Sequence, residues 1–128
     1  MSLHEINTVR AATTTSPLSQ AVRVGNLLFI SGQTPRRPDT WEIIHGEFQE
    51  EVRAVLDAVR GIVEAAGGSL KDICKVNAYL TDISLFEEFN AVYLEYFVAR
   101  PLPARTTIGC TLAREGIRVE VEAVAWLE

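Results

Sequence analysis

The segment from Glu47 to Ala66 carries the pattern that most restricts how this chain can fold. Its apolar side chains recur every three or four positions, at Phe48, Val52, Val55, Leu56, Val59, Ile62, Val63 and Ala66. This spacing predicts an amphipathic helix of about five turns. Gly67-Gly68 supplies its C-terminal stop, because glycine adopts the left-handed conformation at little steric cost. The apolar face of such a helix has to be buried against other elements.

The residues before this helix predict a β-hairpin. Residues 20–24 alternate between apolar and polar, Gly25-Asn26 is a turn signal, and residues 27–31 form a short apolar run. From 33 to 46 proline and glycine occur without any period, which predicts a loop, with a brief edge strand at 41–44 as an option.

After the helix, the pattern changes to a strand and then to a second helix. Residues 73–80 alternate, with one face made by Cys74, Val76, Ala78 and Leu80. The spacing of Ser84 and Glu87 is that of a capping box. The apolar stripe that follows it consists of Phe86, Phe89, Tyr93 and Phe97. Pro101 and Pro103 prevent this helix from continuing.

Two more strands are predicted at the end of the chain, at 105–110 and 117–126. The order β-β-α-β-α-β-β predicts an α+β fold, a single domain over residues 1–128 with two helices packed on one face of a mixed sheet. Val124 and Trp126 interrupt the polar face of the last strand. We therefore expect another subunit to cover the second face of the sheet.

Composition excludes several classes of function. The chain has 128 residues, a net charge of −5 and scattered basic residues, so we expect no nucleic-acid partner. No apolar run approaches the roughly 18–20 residues that cross a bilayer, so we expect no membrane partner and a cytoplasmic location. Cys74 and Cys110 have apolar neighbours and are expected to be buried free thiols. His4 and His45 belong to no ligand spacing, so we expect no metal.

Three charged residues near the C-terminus are candidates for chemistry. Arg105 enters a strand just after Pro103-Ala104, and its planar guanidinium suits a carboxylate ligand. The local pattern by itself favours a surface or interface ion pair with Glu120 or Glu122. Glu120 and Glu122 share a strand face, either as paired carboxylates for acid–base work or, as the pattern alone favours, as a solvated face.

Four stretches identify a family that these residues resemble. They are GNLLFISGQTP at 25–35, VNAYLTDISLFEEFNAVY at 76–93, PART at 103–106 and VEVEAVA at 119–125. With them the chain resembles, nearly end to end, the Rid (YjgF-like) family of reactive-intermediate deaminases.

The resemblance implies a chorismate-mutase-like fold, assembled as a homotrimer with ligand clefts between neighbouring subunits. It also implies hydrolysis of 2-imino acids, the tautomers of reactive enamines, to 2-keto acids and ammonia without metal or organic cofactor. Arg105 matches the family's arginine that binds the substrate carboxylate, and Glu120 matches the glutamate near the attacking water. Ser31 and Gly32 match the segment whose backbone lines the pocket.

Two positions depart from the family pattern. Where well-known members carry a pocket tyrosine, this chain has Leu18, which we expect to favour larger hydrophobic imino acids. Where many members carry a cysteine, it has Thr107, which still forms hydrogen bonds. Asn90 falls in a family stretch that borders the cleft, although an asparagine there can equally satisfy local backbone groups.

Two further features lie in the loop before the first helix. Trp41 is expected to cap the core rather than to close over a ligand, and Arg36-Arg37 to be a solvated turn.

Three functions follow from the resemblance. The leading one is a deaminase similar to 2-iminobutanoate/2-iminopropanoate deaminase, with Arg105 binding carboxylate and Glu120 directing water. The alternative is a non-catalytic module of the same fold that binds a small keto acid. An endoribonuclease is less favoured, because a net charge of −5 opposes association with RNA.

Overall fold

The computed structural model describes residues 2–128 as one sheet and two α-helices. The strands are β1 (His4–Ile6), β2 (Ala21–Val24), β3 (Leu27–Gln33), β4 (Ile73–Leu80), β5 (Ala104–Gly109) and β6 (Val119–Trp126). The helices are α1 (Phe48–Ala65) and α2 (Phe86–Tyr96). Two short 3₁₀ turns lie at Leu70–Asp72, before β4, and at Ile83–Leu85, before α2. No helix within residues 2–128 is long and apolar enough to span a membrane.

The sheet is mixed, as predicted, and its order is β1-β2-β3-β6-β4-β5. All neighbours are antiparallel except β4 and β5, which α2 connects as a crossover. The last strand therefore lies in the middle of the sheet, between β3 and β4. This position puts β6, with both glutamates, at the centre of the sheet.

The core lies between one face of the sheet and the two helices. The predicted face of α1 is buried from Phe48 to Val63, while Ala66 lies just past the helix and is half-buried. β6 alternates strictly, with Val119, Val121, Ala123 and Ala125 buried on the helix side. The predicted stripe of α2 packs on the same core.

Three local features differ from the sequence prediction. β1 was not predicted, because a strand of three residues is too short to show alternation. Residues 41–44 form no strand, and a single bridge joins Arg36 to Ile43. Ser84 forms no capping box with Glu87. Instead the Asp82 carboxylate accepts hydrogen bonds from the Ser84 backbone N–H (3.0 Å) and hydroxyl (2.7 Å), which starts a 3₁₀ turn before α2.

The prediction that both cysteines are buried is wrong, although both thiols are free. Cys74 is exposed because the register of β4 against β6 shifts between Ile73 and Lys75. Such an irregularity reverses the alternation, so Ile73 takes the buried position that Cys74 would otherwise have. Cys110 follows the end of β5 and is half-buried.

The second face of the sheet carries apolar side chains that no helix within residues 2–128 covers. Trp126 is 53% exposed, Phe29 46% and Ile108 45%, and Val124 is paired directly with Phe29. Val124 and Trp126 thus lie on the face predicted for them. Covering of this face by another copy remains a prediction.

Candidate active site

Glu120 lies on the open face of the sheet, where it lines a cleft. It is paired with Tyr79 in β4, and its side chain is half-buried against Gly32. Gly32 lies where the register of β3 against β6 shifts, between Ile30 and Gln33. A Cβ atom at Gly32 would overlap the Glu120 carboxylate, so the glycine makes room for it. The cleft is lined by Ala12, Thr14, Ser16, Leu18, Gln20, Gly32, Gln33, Thr34, Arg36, Trp41, Ala113, Arg114, Ile117 and Glu120.

The two glutamates of β6 differ in their hydrogen bonds. Glu122 accepts a hydrogen bond from the Tyr79 hydroxyl and another from the Asn77 amide at 3.4 Å. The bond to Glu122 raises the pKa of Tyr79 to about 12, so the phenol keeps its proton. No side chain or N–H of residues 2–128 donates to Glu120. Its carboxylate is therefore the one of the pair that is open to a ligand or a water.

Burial, and then the negative charge of Glu122, raise the pKa of Glu120 above its ordinary value. Both causes disfavour the ionised form of the carboxyl. A carboxylate in such surroundings binds a proton more readily than a solvated one, which suits a group that must both accept and return protons.

Arg105 lies on the other face of the sheet. It is paired with Val76, which is fully buried beneath the helices, whereas Glu120 is paired with Tyr79 on the open face. The Arg105 Nη2 donates to Asn90 Oδ1 at 2.7 Å, and its guanidinium carbon lies 4.7 Å from the centre of the Tyr93 ring.

Arg105 forms no ion pair with any acidic side chain of residues 2–128. Residues 2–128 of one chain therefore do not form the ion pair that the local sequence pattern favours, and an ion pair across an interface stays a prediction. The guanidinium instead borders an opening between α2 and the segment before β5, lined by Glu87, Asn90, Tyr93, Leu94, Leu102, Pro103 and Arg105.

The predicted site residues thus fall into two groups. Gly32 and Leu18 lie with Glu120 in the cleft, and Leu18 is 56% exposed there. Asn90 lies with Arg105, and so does Thr107, because its strand partner Ala78 is buried on the helix side. The structure does not bring the groups together within one chain.

Two hydroxyl groups of the predicted site have distinct environments. The Ser31 hydroxyl donates to the Ser19 carbonyl at 2.6 Å, so it holds the backbone beside the cleft instead of lining it. The Thr107 Oγ1 is buried and has no hydrogen-bond partner among residues 2–128.

Sequence reasoning did not assign to the Glu120 cleft three charged or aromatic residues that line it, Arg36, Trp41 and Arg114. Arg36 is not part of a solvated turn: it is half-buried, and its Nη1 donates to the Trp41 carbonyl at 2.9 Å. Trp41, at φ +66°, lines the cleft, and Arg114 approaches it from the loop before β6. No local pattern relates residues so far apart in sequence, and only the folded chain shows that they meet. Residues 2–128 contain no cluster of three or more His, Cys, Asp or Glu that could hold a metal ion.

Comparisons with known proteins agree with this architecture. The model of the family described as Endoribonuclease L-PSP matches residues 8–127. A RutC family protein of Pyrococcus abyssi is 38% identical over 128 residues, which is 100% of both chains. The 2-iminobutanoate/2-iminopropanoate deaminase of Dermatophagoides farinae is 34% identical over 96% of this chain and 95% of its own. The crystal structure of E. coli TdcF with bound serine has a TM-score of 0.90 at 34% identity, covering 98% of this chain and 99% of that one.

Proposed function

The chain belongs to the Endoribonuclease L-PSP family, which includes the RutC and Rid proteins, and on this basis we propose that it hydrolyses 2-imino acids to 2-keto acids and ammonia. The relative from Dermatophagoides farinae, which is named as an imine deaminase, supports this activity. TdcF, which binds serine in its crystal structure, supports a ligand of amino-acid size.

The observation that carries the proposal is the free, half-buried carboxylate of Glu120 over Gly32. The neighbouring Glu122 carboxylate already accepts hydrogen bonds from Tyr79 and Asn77. Only Glu120 of the pair is free to bind a water in the cleft and take its proton. A positioned carboxylate of this kind contributes typically about 10²–10⁴-fold in rate.

The proposed reaction needs only acid–base steps. An enamine first tautomerises to the imine, with a proton moving from nitrogen to carbon. Glu120 then takes a proton from a water whose oxygen adds to the imine carbon. The carboxyl returns this proton to the nitrogen, which gives a carbinolamine with a new hydroxyl group and an amino group on one carbon. The hydroxyl proton is then transferred to the amino nitrogen as the C–N bond breaks, so that ammonia leaves as the carbonyl forms. One water is consumed, and no electrons are gained or lost.

Arg105 binds the substrate carboxylate in this proposal, with Asn90 holding its guanidinium. Since Arg105 and Glu120 lie on opposite faces of one sheet, a complete site needs Arg105 from one copy and Glu120 from another. We propose a homotrimer that forms such clefts, with the uncovered apolar side chains of the sheet in its interfaces.

A second candidate is a module that binds a keto acid without turning it over. Leu18 favours it, because a leucine in the cleft cannot supply a hydroxyl to the reaction. A ribonuclease is disfavoured by the net charge of −5.

The test is imine hydrolysis. Imino acids are generated from several L-amino acids with an amino-acid oxidase and trapped with semicarbazide, and the purified protein is added. We expect it to suppress trapping, Arg105→Ala to lose the effect, and Glu120→Gln to lose turnover while still binding keto acid. Binding without suppression of trapping for any imine would establish the second candidate.

A further inference from the structure

Two arginines and a tryptophan form a cluster in the cleft of Glu120. The guanidinium carbon of Arg36 lies 3.7 Å from the centre of the Trp41 ring, and that of Arg114 lies 5.7 Å from it. All three residues line the same cleft as Glu120 and Leu18. The cluster is distinct from Arg105, which lies on the other face of the sheet.

The positive charges of this cluster have no salt-bridge partner among the described residues. Within residues 2–128, no acidic side chain, including Glu120, forms a salt bridge with Arg36 or Arg114. Partial burial of Arg36, and then the charge of Arg114, lower the pKa of Arg36 from its usual value. The two guanidinium groups thus repel each other at a site where one is already partly desolvated. An anion between them would relieve that repulsion.

The cluster is also preorganised. The Trp41 carbonyl accepts a hydrogen bond from Arg36 Nη1, and the Trp41 ring lies against the same guanidinium. The Arg36 guanidinium is therefore already ordered before a ligand arrives, which reduces the entropy lost on binding. Arg114 is exposed, and its guanidinium adds a second planar set of hydrogen-bond donors.

We infer that Arg36 and Arg114 bind a second carboxylate, so that the cleft accepts 2-imino acids derived from acidic amino acids. The inference rests on the proposed function and names its substrate class. The 2-imino carboxylate would be bound by Arg105 of another copy, and the side-chain carboxylate by the cluster. This specificity differs from the preference for hydrophobic imino acids expected from Leu18, so substrate ranking decides between them.

The first experiment compares kcat/KM for the imines made from glutamate and from leucine. In Arg114→Gln we expect the glutamate-to-leucine ratio to fall about tenfold, the effect of losing one charge-assisted hydrogen bond. Arg37→Gln is the matched control: it removes the same charge from the same loop, but its side chain does not line the cleft. The ratio should not change in this control. An unchanged ratio in Arg114→Gln, or an equal fall in Arg37→Gln, would overturn the inference.

The second experiment measures binding and does not depend on turnover. By calorimetry, 2-oxoglutarate should bind about tenfold more tightly than 4-methyl-2-oxopentanoate, and Arg114→Gln should abolish that difference. If no imine is hydrolysed, the proposed function fails, and this comparison still decides whether the anion site exists. Equal binding of the two keto acids by the unmodified protein would reject it.

Discussion

The Glu120 carboxylate lies so close to Gly32 that a side chain at position 32 would occupy the same space. The glycine therefore has a steric role, since the chain at this point passes within contact distance of the Glu120 carboxylate. Gly32 and Glu120 belong to neighbouring strands, β3 and β6, where the register shifts between Ile30 and Gln33. The position of the carboxylate is thus set by the pairing of these two strands.

Gly32→Ala should move the Glu120 carboxylate without unfolding the protein, because the atoms displaced are at the end of a flexible side chain. We expect kcat/KM for imine hydrolysis to fall about 10²-fold, the cost of misplacing a reacting group by about 1 Å. Gly46→Ala is the control, since its Cβ would come within 2.8 Å of the Glu50 carboxylate on the surface outside the cleft. Full activity in Gly32→Ala would show that the Glu120 position is not critical.

The raised pKa of Glu120 predicts the pH dependence of the rate. Glu120 accepts a proton only when ionised, so kcat should fall as pH falls through its pKa, with a midpoint above that of an ordinary glutamate. Glu122→Gln should move this midpoint to lower pH. Burial of Glu120 is the larger cause of its raised pKa and is unchanged in this variant, so the midpoint should stay above that of an ordinary glutamate. A midpoint that does not respond to Glu122→Gln would assign the titration to another group.

Asn90 is predicted to position Arg105 through the 2.7 Å hydrogen bond to its guanidinium. Asn90→Ala leaves the charge but frees the side chain, so we expect KM to rise about tenfold while kcat changes much less. Steady-state kinetics with one imine separates the two parameters. A fall in kcat with unchanged KM would contradict a role in carboxylate binding.

Local periodicity predicted the helices and most strands, because α1 and β6 each show their period within one segment. The exposure of Cys74 was not predictable, since a bulge depends on how β4 pairs with β6. The same limit applies to the site. Arg105 and Glu120 were predicted individually, but their location on opposite faces follows from strand register, which the sequence of one strand does not specify.

The Arg36–Trp41–Arg114 cluster illustrates the other limit. Arg36 has the local sequence of a solvated turn, and nothing near it indicates a contact with Arg114. Their approach depends on how the loop from 34 to 46 lies against the loop before β6 in the folded chain. Resemblance to a family also gives no signal for residues that lie outside its shared stretches.

The ion pair between Arg118 and Glu51 is predicted to stabilise the fold around this loop. The Glu51 side chain is 2% exposed, and Arg118 also donates to the Gly46 carbonyl at 3.0 Å. Arg118→Met leaves a buried charge without a partner and should lower the free energy of unfolding by about 2–3 kcal/mol, less than for a fully buried pair because Arg118 is 41% exposed. Urea denaturation measures this. Replacing both residues, as Arg118→Met with Glu51→Leu, should recover most of the loss.

The proposed sharing of the site between copies predicts complementation between inactive variants. Arg105→Ala and Glu120→Gln should each be inactive alone, because every cleft lacks one essential group. When the two are unfolded together and refolded, random assembly should give intact pairs in about a quarter of the clefts, and this fraction of wild-type activity should return. Sedimentation of the refolded mixture verifies assembly, and each variant refolded alone is the control. A site complete within one chain would give no recovery, because no copy would carry both Arg105 and Glu120.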